Sequence, residues 1–442
     1  MVDLDTRRRN VKFRSAAGVL TFMAWLVSCA AIVMGPSFIL GLCGVVLLLA
    51  LMVVRASPSL WIFLASICIV LSSSLWTSES GVLSAAYRFT AIIFIILSFV
   101  AGSRSASTSV SSGSPRMYGI LGPLFIYLIA AMLAHNSWGD FIGYSAALII
   151  LMFGLGVLPR VSPQHLYFGL LAALLVVAAS SLAAGIILPE TALAGGRLRG
   201  LTTNANLLGF YSFCLIALAI LYRPRSLISR IGLCVGILSL FWTGSRASLL
   251  AVGVLVLGRI FFGSKQKRGL SWLLMGFLML TLFALGIGDT FLDKALIADS
   301  NSRIGTLNEA QRVLQLAPWT GIGLNESVEV ASSPLRAFVH AGFWGVMAVA
   351  AMWVSLLVSG KSFGWRSVVL ALAVIAHSCF EGWMLSPIGP IFMIFMLMWF
   401  AVCRIGTAAQ KNGNQDAASP LRQQQGDNEQ PQRRHSPQAE QQ

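Results

Sequence analysis

Charge is what this sequence has least of. Asp and Glu together number 16 in 442 residues, and all charged side chains make up 11%, against about a quarter in an ordinary soluble domain. A chain so poor in charge cannot coat itself with a solvated surface, which excludes a soluble globular protein. Cysteine is sparse as well, and its placement excludes more than its number does. All seven cysteines (Cys29, Cys43, Cys68, Cys214, Cys234, Cys379, Cys403) fall within or at the ends of apolar runs. A disulfide framework needs pairs in loops, and metal-ligand spacings such as CxxC do not occur. The cysteines read as small core residues, and no metal site is expected. There is no internal repeat of fixed period, and no inverted pair of broken helices of the transporter kind. The first apolar run is not followed by a small-residue cleavage site and a soluble domain, so it reads as an anchor and not a removed signal peptide.

What is there is apolar: 57% hydrophobic residues, with a mean hydropathy of +0.79. Runs long enough to span a bilayer recur from Ala16 to Val402. Fourteen spans are expected, at 16–34, 37–54, 59–75, 83–102, 117–134, 141–158, 165–188, 201–222, 231–243, 247–263, 270–288, 337–359, 367–384 and 388–403, the ninth and tenth broken only at "TGSR". The expected fold is an all-α polytopic membrane helical bundle of about 12–14 transmembrane helices. Residues 1–15 form a basic cytoplasmic segment, 16–404 the transmembrane domain, and 405–442 a cytoplasmic tail. The Gln-rich composition of that tail (409–442) cannot bury enough surface to fold.

The net charge of +15 is a topology signal and not a nucleic-acid signal, because no basic stripe lies on a soluble domain. With the start "DTRRRNVKFR" inside, the cytoplasmic segments hold 23 of the 31 Lys and Arg residues, and eight remain outside. No acid lies in an internal cytoplasmic loop, whereas Glu79, Asp140, Glu190 and six acids from Asp289 to Glu329 are external. The longest external segment, 289–336, is expected to carry an amphipathic helix ended by Pro318. Its apolar positions Ile304, Leu307, Ala310, Val313, Leu314 and Ala317 follow helical spacing.

The external cations are the exceptions to the inside bias: Arg88, Arg197, Arg199, Arg246, Lys294, Arg303, Arg312 and Arg336. Snorkelling or a rim salt bridge is the ordinary use of such residues. Arg246 lies in a turn so tight that two spans nearly fuse, and an arginine at membrane depth needs a cavity or a partner. Arg197 and Arg199 flank Leu198 and would face one side of an extended chain. Asn204 and Asn206 open a span where the helix dipole favours anions, although capping also explains Asn204. A guanidinium fork suits phosphate bidentately. Loops carrying Arg197 and Arg199, Arg246, and Arg303 and Arg312 therefore suggest a clamp for a lipid-linked pyrophosphate.

At these residues the chain resembles the bacterial O-antigen ligase and polymerase superfamily. "RLRGLTTNANLLGFYS" is similar to its R-x-x-G-x-x-x-N-x-N segment through Arg197, Gly200, Asn204 and Asn206, with Ala205 where proline is common. "LFWTGSRASLLA" resembles its T-G-S-R-G segment, with Ala247 for the usual glycine. "SRIGTLNEAQRVLQLAPWTGIG" resembles its arginine, amphipathic helix and P-x-x-G-x-G turn. Gly342, Gly345, Phe380, Glu381 and Trp383 match its closing G-x-x-G and F-E-x-W patterns, and Arg312 with Gly323 fits an R-x10-G pattern described for the polymerases.

The resemblance covers roughly residues 195–390 and implies a metal-independent inner-membrane glycosyltransferase with no cofactor. It implies an undecaprenyl-diphosphate-linked glycan as donor, a periplasmic active face, and a chain-length regulator and a flippase as partners beside the membrane lipids. The ligase histidine position holds Ala331 here, so the expectation is a polymerase of O-antigen or exopolysaccharide repeat units. The alternatives are an O-antigen ligase transferring to lipid A-core and, from another class, a lipid-linked oligosaccharide flippase. Glu381, His340 and His377 are the candidate catalytic groups, since an acceptor hydroxyl needs a general base. His377 and Glu381 would share one helix face at i and i+4.

Overall fold

The computed structural model describes residues 57–77, 80–103, 118–135, 138–222, 226–263, 300–324, 330 and 332–404. The expected spans 16–34, 37–54 and 270–288, both terminal segments and residues 104–117 lie outside the described residues, as do parts of the 289–336 loop.

The remaining expected spans each have a helix. In chain order they are α1 (Pro58–Leu71), α2 (Gly81–Ser103), α3 (Tyr118–His135), α4 (Trp138–Gly156), α5 (Pro163–Ile187), α6 (Ala205–Tyr222), α7 (Leu227–Thr243) and α8 (Arg246–Gly263). After α9 (Ser300–Leu316), the amphipathic segment, come α10 (Ser333–Phe363), α11 (Trp365–Ser378) and α12 (Pro390–Arg404). The start signals are physical. Proline opens α1, α5 and α10, where its missing N–H costs nothing and its fixed φ suits the first turn. Gly244, at φ 58° in the left-handed region, caps α7 and so splits one apolar run into two helices.

The protein is an all-α membrane protein. Four helices are long and apolar enough to cross a bilayer: 81–101, Pro163–Ile187, Ala205–Tyr222 and Ser333–Phe363. Large apolar side chains lie both inside and outside the bundle. On α2, Phe89, Ile93, Ile96 and Val100 form an exposed stripe at helical spacing while Ala91, Phe94 and Ile95 are buried. Such an outer surface would be untenable in water and suits hydrocarbon. The centre of the core is α12, in which every residue from Phe392 to Cys403 is at most 2% exposed.

The only strands among the described residues are a two-residue antiparallel pair, 193–194 with 197–198, closed by Gly195 and Gly196 in the left-handed region.

The helices run between two ends. At one end Arg404 donates to the carbonyls of Leu158 and Val161, Arg259 to that of Ile220, and Ser59 bonds His165. At the other end the 72–77 turn pairs with 201–203 through the Ser74–Thr202 bridge and the Leu75 N–H on the Leu201 carbonyl. Every segment that resembles the superfamily motifs lies toward this second end.

The span expected at 337–359 is interrupted: α10 is broken at Ala341 (φ −134°, ψ 16°) and Gly342 (φ 58°, ψ −146°). The 318–323 turn is inserted there. The N–H groups of Ile322 and Gly323 donate to the carbonyls of Val339 and His340, and Phe343 N–H donates to the Pro318 carbonyl. Backbone freed by a break at membrane depth must be satisfied by protein, and this turn does it. Close approach explains the glycines of "PWTGIG": a Cβ on Gly321 would stand 2.5 Å from Ala341 N and the His340 carbonyl carbon.

Candidate functional site

The second end gathers three segments distant in sequence. Arg197 is the clasp between two of them. Its Nε donates to the Thr243 carbonyl at 2.8 Å and its Nη2 to Asn206 Oδ1 at 2.7 Å, with the Gly244 carbonyl at 3.5 Å. The strand pair presents the arginine, Gly244 ends α7 with exposed carbonyls, and Asn206 lies in the first turn of α6. The half-buried guanidinium therefore knits the start of α6 to the end of α7. Its Nη1 finds no acceptor among the described residues, which leaves two N–H donors on an otherwise engaged fork.

Arg199 does not share this work. Its Nε donates to the Thr191 carbonyl at 3.0 Å, so the two arginines flanking buried Leu198 have separate partners. Gly200, in the left-handed region, ends the extended stretch, and a Cβ there would stand 2.3 Å from Ser181 Cβ. Asn204 is the N-cap of α6: its Oδ1 accepts Leu207 N–H at 2.9 Å, the capping use that its residue type allowed. Asn204 is nonetheless exposed at the opening of the helix.

Arg246 opens α8, half-buried, between two serines that fix its turn. Ser245 Oγ donates to Ser248 Oγ at 3.0 Å. Gly209 of α6 packs so closely that a Cβ there would lie 2.4 Å from Ser245 Cβ. The third segment follows α11. That helix ends at Ser378, and Glu381 stands beyond it in extended backbone (φ −137°, ψ 134°), ahead of the 3-10 turn Gly382–Leu385. The expectation that His377 and Glu381 share one helix face is therefore corrected: the helix stops before it can bring them together. Glu381 is instead anchored by its carbonyl, which accepts Ser333 Oγ at 2.6 Å. Arg336 runs beside it: a Cβ on Gly382 would lie 3.1 Å from Arg336 Cδ.

The histidines are buried. His340 is 3% exposed. It is the last residue before the α10 break, not a residue of a continuous helix, and its Nδ1 hydrogen-bonds the Tyr127 hydroxyl of α3. His377 is fully buried between Trp383 and Ser248. Its acceptor nitrogen is occupied, so it offers no lone pair to a substrate hydroxyl.

Arg312 pairs with Glu309 one turn earlier on α9, Nη2 to Oε1 at 2.7 Å, an ordinary helix ion pair. Arg303 lies in α9, but its side chain falls outside the described residues. α9 packs on α10, and among the described residues no hydrogen bond or ion pair joins Arg312 to the Arg197 clasp. Among the described residues no three His, Cys, Asp or Glu side chains come together.

Sequence reasoning missed Tyr127 and Ser248. Tyr127 carried a weak signal, a phenol inside an apolar run, while Ser248 looked like any small helix residue. No known protein-family model matches the chain, and neither does any curated protein.

Proposed function

We propose that this protein is a membrane glycosyltransferase that polymerises polyprenyl-diphosphate-linked repeat units of O-antigen or exopolysaccharide on the periplasmic face of the bacterial inner membrane. The observation that carries the reading is the clasp. Arg197, Asn206 and the Thr243–Gly244 carbonyls join two motif-like segments 46 residues apart, next to Arg246 at the start of α8. A half-buried guanidinium with Nη1 to spare, beside a helix N-terminus, is suited to a diphosphate.

In the proposed reaction the acceptor sugar hydroxyl attacks the anomeric carbon of the donor glycan. The bond from that carbon to the phosphate oxygen breaks, and the diphosphate leaves on its lipid with both electrons. Arg197 and Arg246 stabilise the charge that develops there. Glu381 takes the acceptor proton. A carboxylate has lone pairs on two oxygens and can take a proton while another donor engages it, whereas His377 has both nitrogens engaged and His340 is tied to Tyr127 at the α10 break. The break itself does not favour a flippase: its carbonyls are taken up by the 318–323 turn and are not left to coordinate an ion or substrate.

Glu381→Gln keeps size and hydrogen bonding but removes the base. With purified protein in nanodiscs and a polyprenyl-diphosphate repeat unit, wild type should make polymer without any nucleotide sugar, and the variant should make none. In cells, the variant should leave single repeat units on lipid A-core. Long polymer stranded on the carrier lipid would identify a ligase instead.

Orientation has its own test. Thr320 and Ser362 are exposed and lie toward opposite ends of the bundle. In a cysteine-free background, Thr320→Cys should react with an impermeant thiol reagent on intact spheroplasts and Ser362→Cys should not. The reverse labelling would put the candidate site in the cytoplasm and remove the proposal.

A further inference from the structure

His377 sits in the last turn of α11 with no exposed surface. Trp383 Nε1 donates to its Nδ1 at 2.9 Å, and its Nε2 lies 3.2 Å from Ser248 Oγ. An indole N–H can only donate, so Nδ1 must carry a lone pair. A neutral imidazole then bears its proton on Nε2, and Ser248 Oγ accepts it. Protonating the ring would set an Nδ1–H against the indole N–H, two donors facing each other with no acceptor between them. Phe210 and Phe213 of α6 wall the ring, with centroids 5.0 and 6.2 Å away, and leave no route for a substrate hydroxyl.

What the ring connects gives it a role. Trp383 belongs to the 3-10 turn that Glu381 introduces. Ser248 accepts from Ser245 as well, and these two serines bracket Arg246. The same turn is held from the other side by the close packing of Gly209 on Ser245 and by the Arg197 bonds to the Thr243 and Gly244 carbonyls. His377 is thus a polar link between the carboxylate-bearing turn and the guanidinium-bearing turn.

We propose that His377, as its neutral Nε2–H tautomer, is a positioning residue that holds the Glu381 turn in register with the Arg246 turn and takes no part in proton transfer to or from substrate. The functional half of this proposal rests on the transferase reading above; the tautomer and the brace do not.

The test uses the full chain in nanodiscs with 15N-labelled histidine, the His377 signal being identified by its loss in His377→Gln. Wild type should show a protonated Nε2 and an unprotonated Nδ1; the opposite tautomer, or an imidazolium, overturns the proposal. Trp383→Phe and Ser248→Ala each remove one bond and should each lower kcat about tenfold, with the KM for the polyprenyl-diphosphate donor within about threefold, because misplacement weakens the transition state more than ground-state binding. His377→Gln, which can still reach Ser248, should retain more kcat than His377→Phe. Equal, wild-type kcat in both variants overturns the positioning role.

A readout independent of activity separates the two readings. Spin labels at Leu250 and Phe380, both exposed, should give a narrow distance distribution in wild type and a broadened one in His377→Phe. If wild type transfers nothing from the donor yet shows this tautomer and this broadening, the transferase reading falls and the brace stands. An unchanged distribution in His377→Phe removes the brace whatever the activity.

Discussion

Arg197→Ala should lose glycan transfer by at least about a hundredfold and also lower the stability of the purified protein by about 3 kcal/mol. The two losses have one cause. The guanidinium satisfies the Thr243 carbonyl and Asn206 Oδ1 at 2.8 and 2.7 Å, and a hydrogen bond from a charged donor contributes about 1.5–3 kcal/mol. Without it, the carbonyl end of α7 and the first turn of α6 lose their common partner, and the turn leading to Arg246 loses one of its supports. Arg197→Lys should recover part of the stability and little of the transfer. An ammonium can reach one of the acceptors but cannot bridge them in a plane while keeping donors for a phosphate. Asn206→Ala should give a smaller loss of the same kind. The measurements are polymer yield from a defined donor and unfolding in detergent. Normal polymer from an Arg197→Ala protein of normal stability would dispose of both the clasp and the anion site.

Gly342→Ala should strongly destabilise the protein. Two penalties add. At φ 58° and ψ −146° the residue occupies backbone space that is nearly closed to residues with a Cβ. The added Cβ would also stand 2.4 Å from the Trp319 carbonyl carbon and 2.5 Å from the Pro318 oxygen, both backbone atoms that cannot rotate away. A cost of about 3 kcal/mol or more is expected. Expelling the 318–323 turn would strand the Val339 and His340 carbonyls, which accept from Ile322 and Gly323. The visible result should be a lower melting midpoint and new protease cleavage near 318–323. Gly321→Ala should behave in the same way from the other side of the contact. A Gly342→Ala protein melting within about 2 °C of wild type would mean that the inserted turn does not hold the break.

Much of this architecture was open to reading from the sequence because its cause is local. A run of apolar residues forms a helix in hydrocarbon whatever its neighbours do, since no other open structure satisfies its backbone. Thus α1 to α8 and α10 to α12 fall on the expected runs, with α11 ending early at Ser378. Asn204 as a cap, Pro318 as the end of the amphipathic segment and Gly244 as the break between α7 and α8 follow from single-residue conformational rules. The α10 break was not open to reading, because Ala341 and Gly342 sit inside a good apolar run. Only insertion of the 318–323 turn makes interrupting the helix cheaper than continuing it.

For the candidate site the division lies between residue type and partner. The sequence alone determined that arginines, asparagines and glycines gather in a few segments at the helix ends, and that the charge of the chain sorts by side. Tertiary structure alone decided that Arg197 spends most of its fork on Asn206 and the end of α7, and that Arg199 turns to Thr191. It also sealed His377 between Trp383 and Ser248. A side chain's charge is a property of its residue, whereas the acceptor it meets depends on which helix end the packing brings within 3 Å. Hydrogen bonds between residues 46 or 129 positions apart leave no trace in local pattern.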